Sequence, residues 1–383
     1  MTSINRHQCF LKNEDLKNYP KISINSIPSR YKLMISSTNG ALGKCLFILI
    51  ALVLNMKYLN FILAISSDPG LSVLSKSAVC YALIDNIYFI FLHFNYNHEF
   101  FGQIEDYWNE LQINFDYETR KYFWTQQAIS RLFTLVTYTS YIAFNYIDSF
   151  YGWYTETANN SSKDSFIEDV FHYVLQIIVG PVSYFNKFCQ TCIFNDILIL
   201  AQTALLFSVI KLKKLYIGSV RGKKILNIDV ITDLRHKYLS THRLVEKINE
   251  IMSPCLLIMF IHFTLWVIHL SYALLFLDVH QLIKFKRIIQ CVIMLMILVF
   301  MASLAIRVHI KSQELLMTVY KLSLKTDSIR ILSEMTLFLN YNEIGLSFGG
   351  LFMLTTSSLS TLFSILTTIV IAIPSFNKHE DTD

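Results

Sequence analysis

Seven times along this chain charged residues thin out for roughly 20 residues, the length of helix that crosses the hydrocarbon of a bilayer. In hydrocarbon every backbone N–H and C=O must be satisfied within its own segment, so such runs fold as helices. They lie at 42–65, 77–95, 128–151, 184–210, 254–277, 288–306 and 343–374. A further apolar stretch, 171–184, is broken by Gly180-Pro181 and too short to span alone. It is expected either to dip onto the membrane or to extend the fourth helix outward. Charge content agrees with this reading: 16% of the chain is Asp, Glu, Lys or Arg, against about a quarter in a soluble domain. The expected fold class is all-α, a polytopic membrane protein of seven transmembrane helices. Residues 1–41 form an inner tail, 42–376 the helical domain and 377–383 an outer tail.

Positive charge sets the direction of insertion. With the amino terminus inside, the inner segments hold 24 Lys and Arg and the outer segments seven, while Lys57 and Arg131 fall within spans. The carboxyl terminus is then outside. Residues 1–39 have no apolar core, so the first span is expected to serve as its own insertion signal. Asn159 and Asn160 begin two overlapping Asn-x-Ser acceptors in what this topology makes an outer loop, and are the candidate glycosylation sites.

Ionisable groups within a membrane are costly and mark candidate sites. Lys57 and Asp85 lie equally far from the outer ends of the first two spans, where adjacent antiparallel helices would pair them. That pair is either a packing clasp or part of a polar ligand site. Arg131, near the inner end of the third span, is expected to extend toward the interface. Asp196, beside Asn195, is read either as a neutral acid bonded to a neighbouring helix or as a ligand-facing acid. Tyr138, Tyr141, Asn145 and Asp148 follow the 3-4-3 spacing of one helical face. Polar-tipped aromatics on one stripe suit either a pocket wall or aromatic packing. His262, Trp266, His269 and Tyr272 repeat the theme on the fifth span. The candidate ligand pocket is therefore Asp85, Tyr138, Tyr141, Asn145, Asp148, Asp196, His262, Trp266 and His269. The two histidines have no nearby Cys or carboxylate in sequence to complete a metal site. Cys189-x-x-Cys192 has no second pair and is read as small residues in helix packing.

The last run differs from the others. Residues 350–376 carry no charge but are sown with Ser and Thr, which suits a helix that meets other helices or water. Its end reads Thr368-Ile369, then Val370-Ile371-Ala372-Ile373-Pro374, then Ser375-Phe376. That resembles the final helix of the insect gustatory receptors: Thr-Tyr, five apolar residues, Gln-Phe. Ile369 replaces the usual Tyr and Ser375 the usual Gln. Gly350-Leu351-Phe352 resembles the family's opening to this helix, and Leu244-x-x-x-Ile248-Asn249 its approach to the fifth. The inverted topology agrees, and it opposes that of G-protein-coupled receptors, whose Asp-Arg-Tyr and Asn-Pro-x-x-Tyr motifs are missing.

The resemblance implies a ligand-gated cation channel: a homo- or heterotetramer in the plasma membrane, with the seventh helix of each subunit lining one pore. It implies that Thr368, Ile369, Ala372, Ile373, Ser375 and Phe376 line that pore and that the inner ends of helices five to seven hold the subunits together. No phosphate-binding Gly loop, His-Glu-x-x-His or Gly-x-Ser-x-Gly is found, so no enzyme and no cofactor is expected. The basic second inner segment, with Lys211, Lys213, Lys214, Arg221, Lys223 and Lys224, suits anionic lipid rather than nucleic acid. The expected partners are membrane lipids and a small tastant. No sugar-site pattern surrounds Trp266, so a bitter or other small organic compound is the expected ligand. An odorant receptor subunit, an inverted seven-helix transporter and a G-protein-coupled receptor are the alternatives.

Overall fold

The structure is a computed structural model that describes residues 19–22, 98–111, 116–159, 163–220, 227–276, 281–340 and 343–377, with a few single positions elsewhere. The first two spans, with Lys57 and Asp85, lie outside the described residues. So do the side chains of Asn145, Asp148 and Asn159, and Asn160 altogether.

The described chain is all-α apart from one small hairpin. Its helices are α1 His98–Glu110, α2 Tyr117–Asn159, α3 Lys163–Val220, α4 Ile228–Phe276, α5 Gln281–Ser323, α6 Ile329–Leu339 and α7 Thr356–Asn377. Strands β1 Ser347–Phe348 and β2 Phe352–Met353 precede α7. Among the described residues, three helical segments are long and apolar enough to cross a membrane: Lys187–Val220, Ile228–Ser271 and Lys284–Ser323.

Local chemistry starts each element. The Asp116 carboxylate accepts from the backbone N–H and the hydroxyl of Thr119, at 3.1 and 2.6 Å, and so caps α2. Asn227 caps α4 by accepting from the Asp229 N–H at 3.0 Å. Thr355 and Ser358 cap α7 reciprocally, each side-chain oxygen accepting from the other's backbone N–H. Helix α3 runs unbroken through Gly180-Pro181, so the apolar stretch before the fourth span extends that helix. Most of the expected inner segments are also helix, as α1, the end of α3 and the start of α4. In α1 the apolar residues Phe100, Phe101, Ile104 and Trp108 recur at helical spacing and are buried, as is Leu111 just after it.

The seventh span is corrected at its start. Residues 343–355 are not helix: a hairpin stands there, with Ser347 opposite Met353 and Phe348 opposite Phe352. Its turn holds Gly349 at φ 59° and Gly350 at φ 74°, two successive left-handed residues that a helix cannot contain. Gly350-Leu351-Phe352 is thus the tip of the hairpin and not the opening of the helix.

Helix α3 is the centre of the molecule, packed by α2, α4 and α5. From Cys189 to Val209 it is almost wholly enclosed. Helix α2 is inverted relative to a soluble helix. Gln127, Ser130, Thr134 and Thr137 are buried, while Ile129, Leu132, Leu135 and Val136 are exposed. Small polar residues inward and apolar ones outward is the pattern of a helix surrounded by lipid.

Beyond the apolar stretches the helices continue as a second bundle with α1 and α6. Tyr238 stacks on Phe338 with centroids 5.0 Å apart, and Arg235 pairs with Glu334 at 3.2 Å. Burial pushes the Tyr238 phenol up to about 12. Glu314 meets Lys213 and Lys311. Burial acts to raise its pKa, but the two lysines outweigh it and hold the carboxyl below its ordinary 4.5.

Candidate functional site

Antiparallel packing of α2 on α3 brings their polar residues into rungs. The Tyr138 hydroxyl lies 2.8 Å from Thr191 Oγ1. The Asn195 amide donates to Thr134 Oγ1 at 3.4 Å. Arg131 donates to Asp196 Oδ2 at 2.7 Å. Toward the start of α2 the Tyr122 hydroxyl donates to Gln202 Oε1 at 2.9 Å, and the Gln202 amide donates on to the Leu304 carbonyl of α5 at 2.7 Å. As positions fall along α2 they rise along α3, as antiparallel helices require. Each rung satisfies groups that hydrocarbon would leave unsolvated.

Arg131 therefore does not extend to the interface as expected. It turns inward to an acid whose side chain is fully enclosed. Asp196 has the partner that sequence proximity could not reveal, because Arg131 is 65 positions away.

Two turns along α2 from the ion pair, Tyr138 also meets the Phe188 ring edge-on at 6.0 Å. Tyr141, about one turn further along α2, is half-buried against the core. On α4, His262 and Trp266 are buried and His269 is half-buried. The expected pocket residues whose side chains are described thus all face the interior to some degree. They stand on α2, α3 and α4, the two outer helices each packing on α3.

Helix α7 is packed differently. Leu362 and Leu366 are buried on the side that meets α4. Ser357, Ser360, Thr361, Ser364, Thr368 and Ile371 form the exposed side. Thr368 is thus on the open face, and Ile369 and Ala372 stand half-buried at its edges. The side chains of Ile373, Ser375 and Phe376 lie outside the described residues. The hydroxyls of Thr361, Ser364 and Thr368 donate to the carbonyls of Ser357, Ser360 and Ser364, four residues back. A face with its own hydroxyls satisfied can border either water or a partner helix.

The hairpin that leads into α7 is fastened to α4. Asn249 Oδ1 accepts from the Ser347 N–H at 2.8 Å, and Ser253 Oγ from the Gly350 N–H at 2.8 Å. The Gly349 N–H donates to the Ser253 carbonyl at 3.1 Å. This occurs beside Pro254, where α4 lacks one backbone donor. His309 Nε2 of α5 lies 3.5 Å from Glu343 at the hairpin's foot. A cleft of about 320 Å³ opens here, lined by His242, Glu246, Asn249, Glu343, Phe352 and Met353 among others. Sequence reading missed this clasp, although Gly349-Gly350 was its legible sign.

The chain is similar to the solved insect olfactory receptor OR5 from Machilis hrabei in complex with eugenol. The TM-score is 0.63 at 13% identity, over 92% of this chain and 97% of that one. A second structure of the same receptor, with no ligand named, matches with a TM-score of 0.57 at 14% identity, over 88% and 90%. At that identity the likeness is one of fold, and it extends over nearly the whole chain. No family model and no curated protein matches the sequence.

Proposed function

We propose that this chain is a chemoreceptor subunit of the gustatory type, forming a ligand-gated, non-selective cation channel in the plasma membrane. The observation that carries the reading is the near full-length likeness to a receptor solved with a small aromatic compound. The last-helix pattern that resembles gustatory receptors supports the subtype. The amino terminus is cytosolic, the carboxyl terminus outside, and Asn159 and Asn160 face outward for glycosylation.

The ligand, a small organic tastant, binds in the outer half of the bundle against Tyr138, Tyr141, His262, Trp266 and His269, with Asn145, Asp148 and Asp85 nearby. Apolar area with a few hydrogen-bonding tips suits such a molecule. Four copies, identical or mixed with related receptors, place α7 around one axis. The exposed Ser/Thr face and the 369–376 end line the pore, and apolar rings close it by dewetting. The ligand opens the channel only to the extent that it binds the open state better.

An odorant receptor subunit that needs a co-receptor is the second reading, favoured by the olfactory identity of the solved neighbour. Currents separate the two. The chain expressed alone in oocytes is challenged with eugenol, caffeine, denatonium and sucrose. A cation current to any of these supports the gustatory channel. Current only when an olfactory co-receptor is added supports the second reading. Silence in both settings, with the chain at the surface, refutes both.

A further inference from the structure

We propose that the Arg131–Asp196 ion pair, whose acid is fully enclosed, is the positioning element of the ligand pocket: it holds α2 on α3 two turns inward of the Tyr138–Thr191 rung. The inference rests on the pocket placement argued above. Arg131 Nη2 and Asp196 Oδ2 are 2.7 Å apart, and the Asp196 side chain has no solvent exposure. Seven residues separate Arg131 from Tyr138, about 10 Å along a helix. Two neighbouring bonds join neutral groups: Thr134 with Asn195, and Tyr138 with Thr191.

These rungs differ in how sharply they fix the register of the two helices. A neutral side chain displaced within a membrane finds another partner, so neutral rungs are individually weak and tolerate sliding. Parting two opposite charges within a membrane costs more than parting two neutral groups. The ion pair is therefore the rung that α2 and α3 cannot shift without losing. Gln202 fastens α3 to α5 from the inner side by donating to the Leu304 carbonyl, and Arg307 of α5 donates to Gln126 of α2 at 3.0 Å. The inner half of the bundle is thus tied across three helices. The outer half, where the pocket lies, takes its α2–α3 spacing from the pair. Arg131 and Asp196 are positioning residues and need not touch the ligand. They act through Tyr138.

The test reads spacing without a ligand. In full-length protein in native membranes, with Cys189 and Cys192 changed to Ser, Thr134→Cys and Asn195→Cys are introduced together. A protease site at 160–162 lets a non-reducing gel report whether oxidation by copper phenanthroline has joined the two halves. Arg131→Gln or Asp196→Asn should lower trapping about 5-fold or more, the lower end of ordinary coupling between sites. Arg131→Lys, or the exchange Arg131→Asp with Asp196→Arg, should restore it. Trapping at the parent rate in Arg131→Gln overturns the proposal. So does a loss that neither restoring variant reverses.

A second arm uses whichever of the four panel compounds opens the parent channel. Arg131→Gln should raise its half-activating concentration about 5-fold at equal surface level, and the exchange should reverse this. An unchanged concentration in Arg131→Gln overturns the proposal. Trapping that follows charge, in a chain silent to all four compounds with and without a co-receptor, leaves the positioning pair standing and removes the channel reading.

Discussion

Gly349 sits at φ 59° with Leu257 packed where a Cβ would stand, 2.5 Å from its Cδ2. Alanine there is strained twice, by backbone and by contact. Gly349→Ala should cost about 1–3 kcal/mol, read as a lower melting temperature of the detergent-solubilised protein. Adding Leu257→Ala should recover the steric part and leave the backbone part. An unchanged melting temperature in Gly349→Ala contradicts the turn assignment. Glu314 makes a prediction in pH. Its carboxyl is held below 4.5 by Lys213 and Lys311, so the folded state favours its charged form. That contribution is fully present above the ordinary value and is lost as pH falls through the depressed one. Its side chain is 31% exposed, so the effect should stay within about 1 kcal/mol. Melting measured from pH 6 down to pH 3 should fall less steeply in Glu314→Gln than in the parent, and parallel curves would contradict the pairing. At this scale Arg131 and Asp196 were each visible as costly charges within spans. Their pairing was not, because it depends on the register of two helices.

Among the elements, α7 carries the most weight in the proposed function. Its two sides differ: Leu362 and Leu366 are buried toward α4, while Ser364 and Thr368 are exposed. Cysteine scanning should reveal this. Ser364→Cys, Thr368→Cys and Ile371→Cys should react with a water-soluble thiol reagent and change the current, whereas Leu362→Cys and Leu366→Cys should react at least about 10-fold more slowly. Reaction at equal rates all round, or no change in current at any position, would show that this face does not border a pore. The uncharged Ser/Thr pattern announced this helix in advance. Its starting point was misplaced, because apolar residues of the hairpin, Leu346, Phe348 and Leu354, continue the hydrophobic run without a break. Two glycines of left-handed backbone end the helix reading there. Helix α1 was hidden for the opposite reason. Its apolar stripe is amphipathic and lies between the second and third spans, so only packing on α4 showed its role.

For the whole molecule, direction in the membrane follows from charge. A tag before Met1 should stain only permeabilised cells, and one after Asp383 should stain intact cells. The reverse pattern would sink the channel reading along with the topology. The sequence by itself determined that the chain is helical and lives in lipid, because apolar length and the need to satisfy every backbone group leave little choice. It also determined which residues are too costly to be passive, since a charge or hydroxyl in hydrocarbon needs a partner wherever it stands. Tertiary structure alone decided who those partners are. Arg131 meets Asp196, Tyr138 meets Thr191 and Asn249 holds Ser347 across separations of 65, 53 and 98 positions. Such contacts depend on helix order, register and rotation. These are global quantities that no local period or composition encodes, and they are what put α3 at the centre and left one face of α7 open.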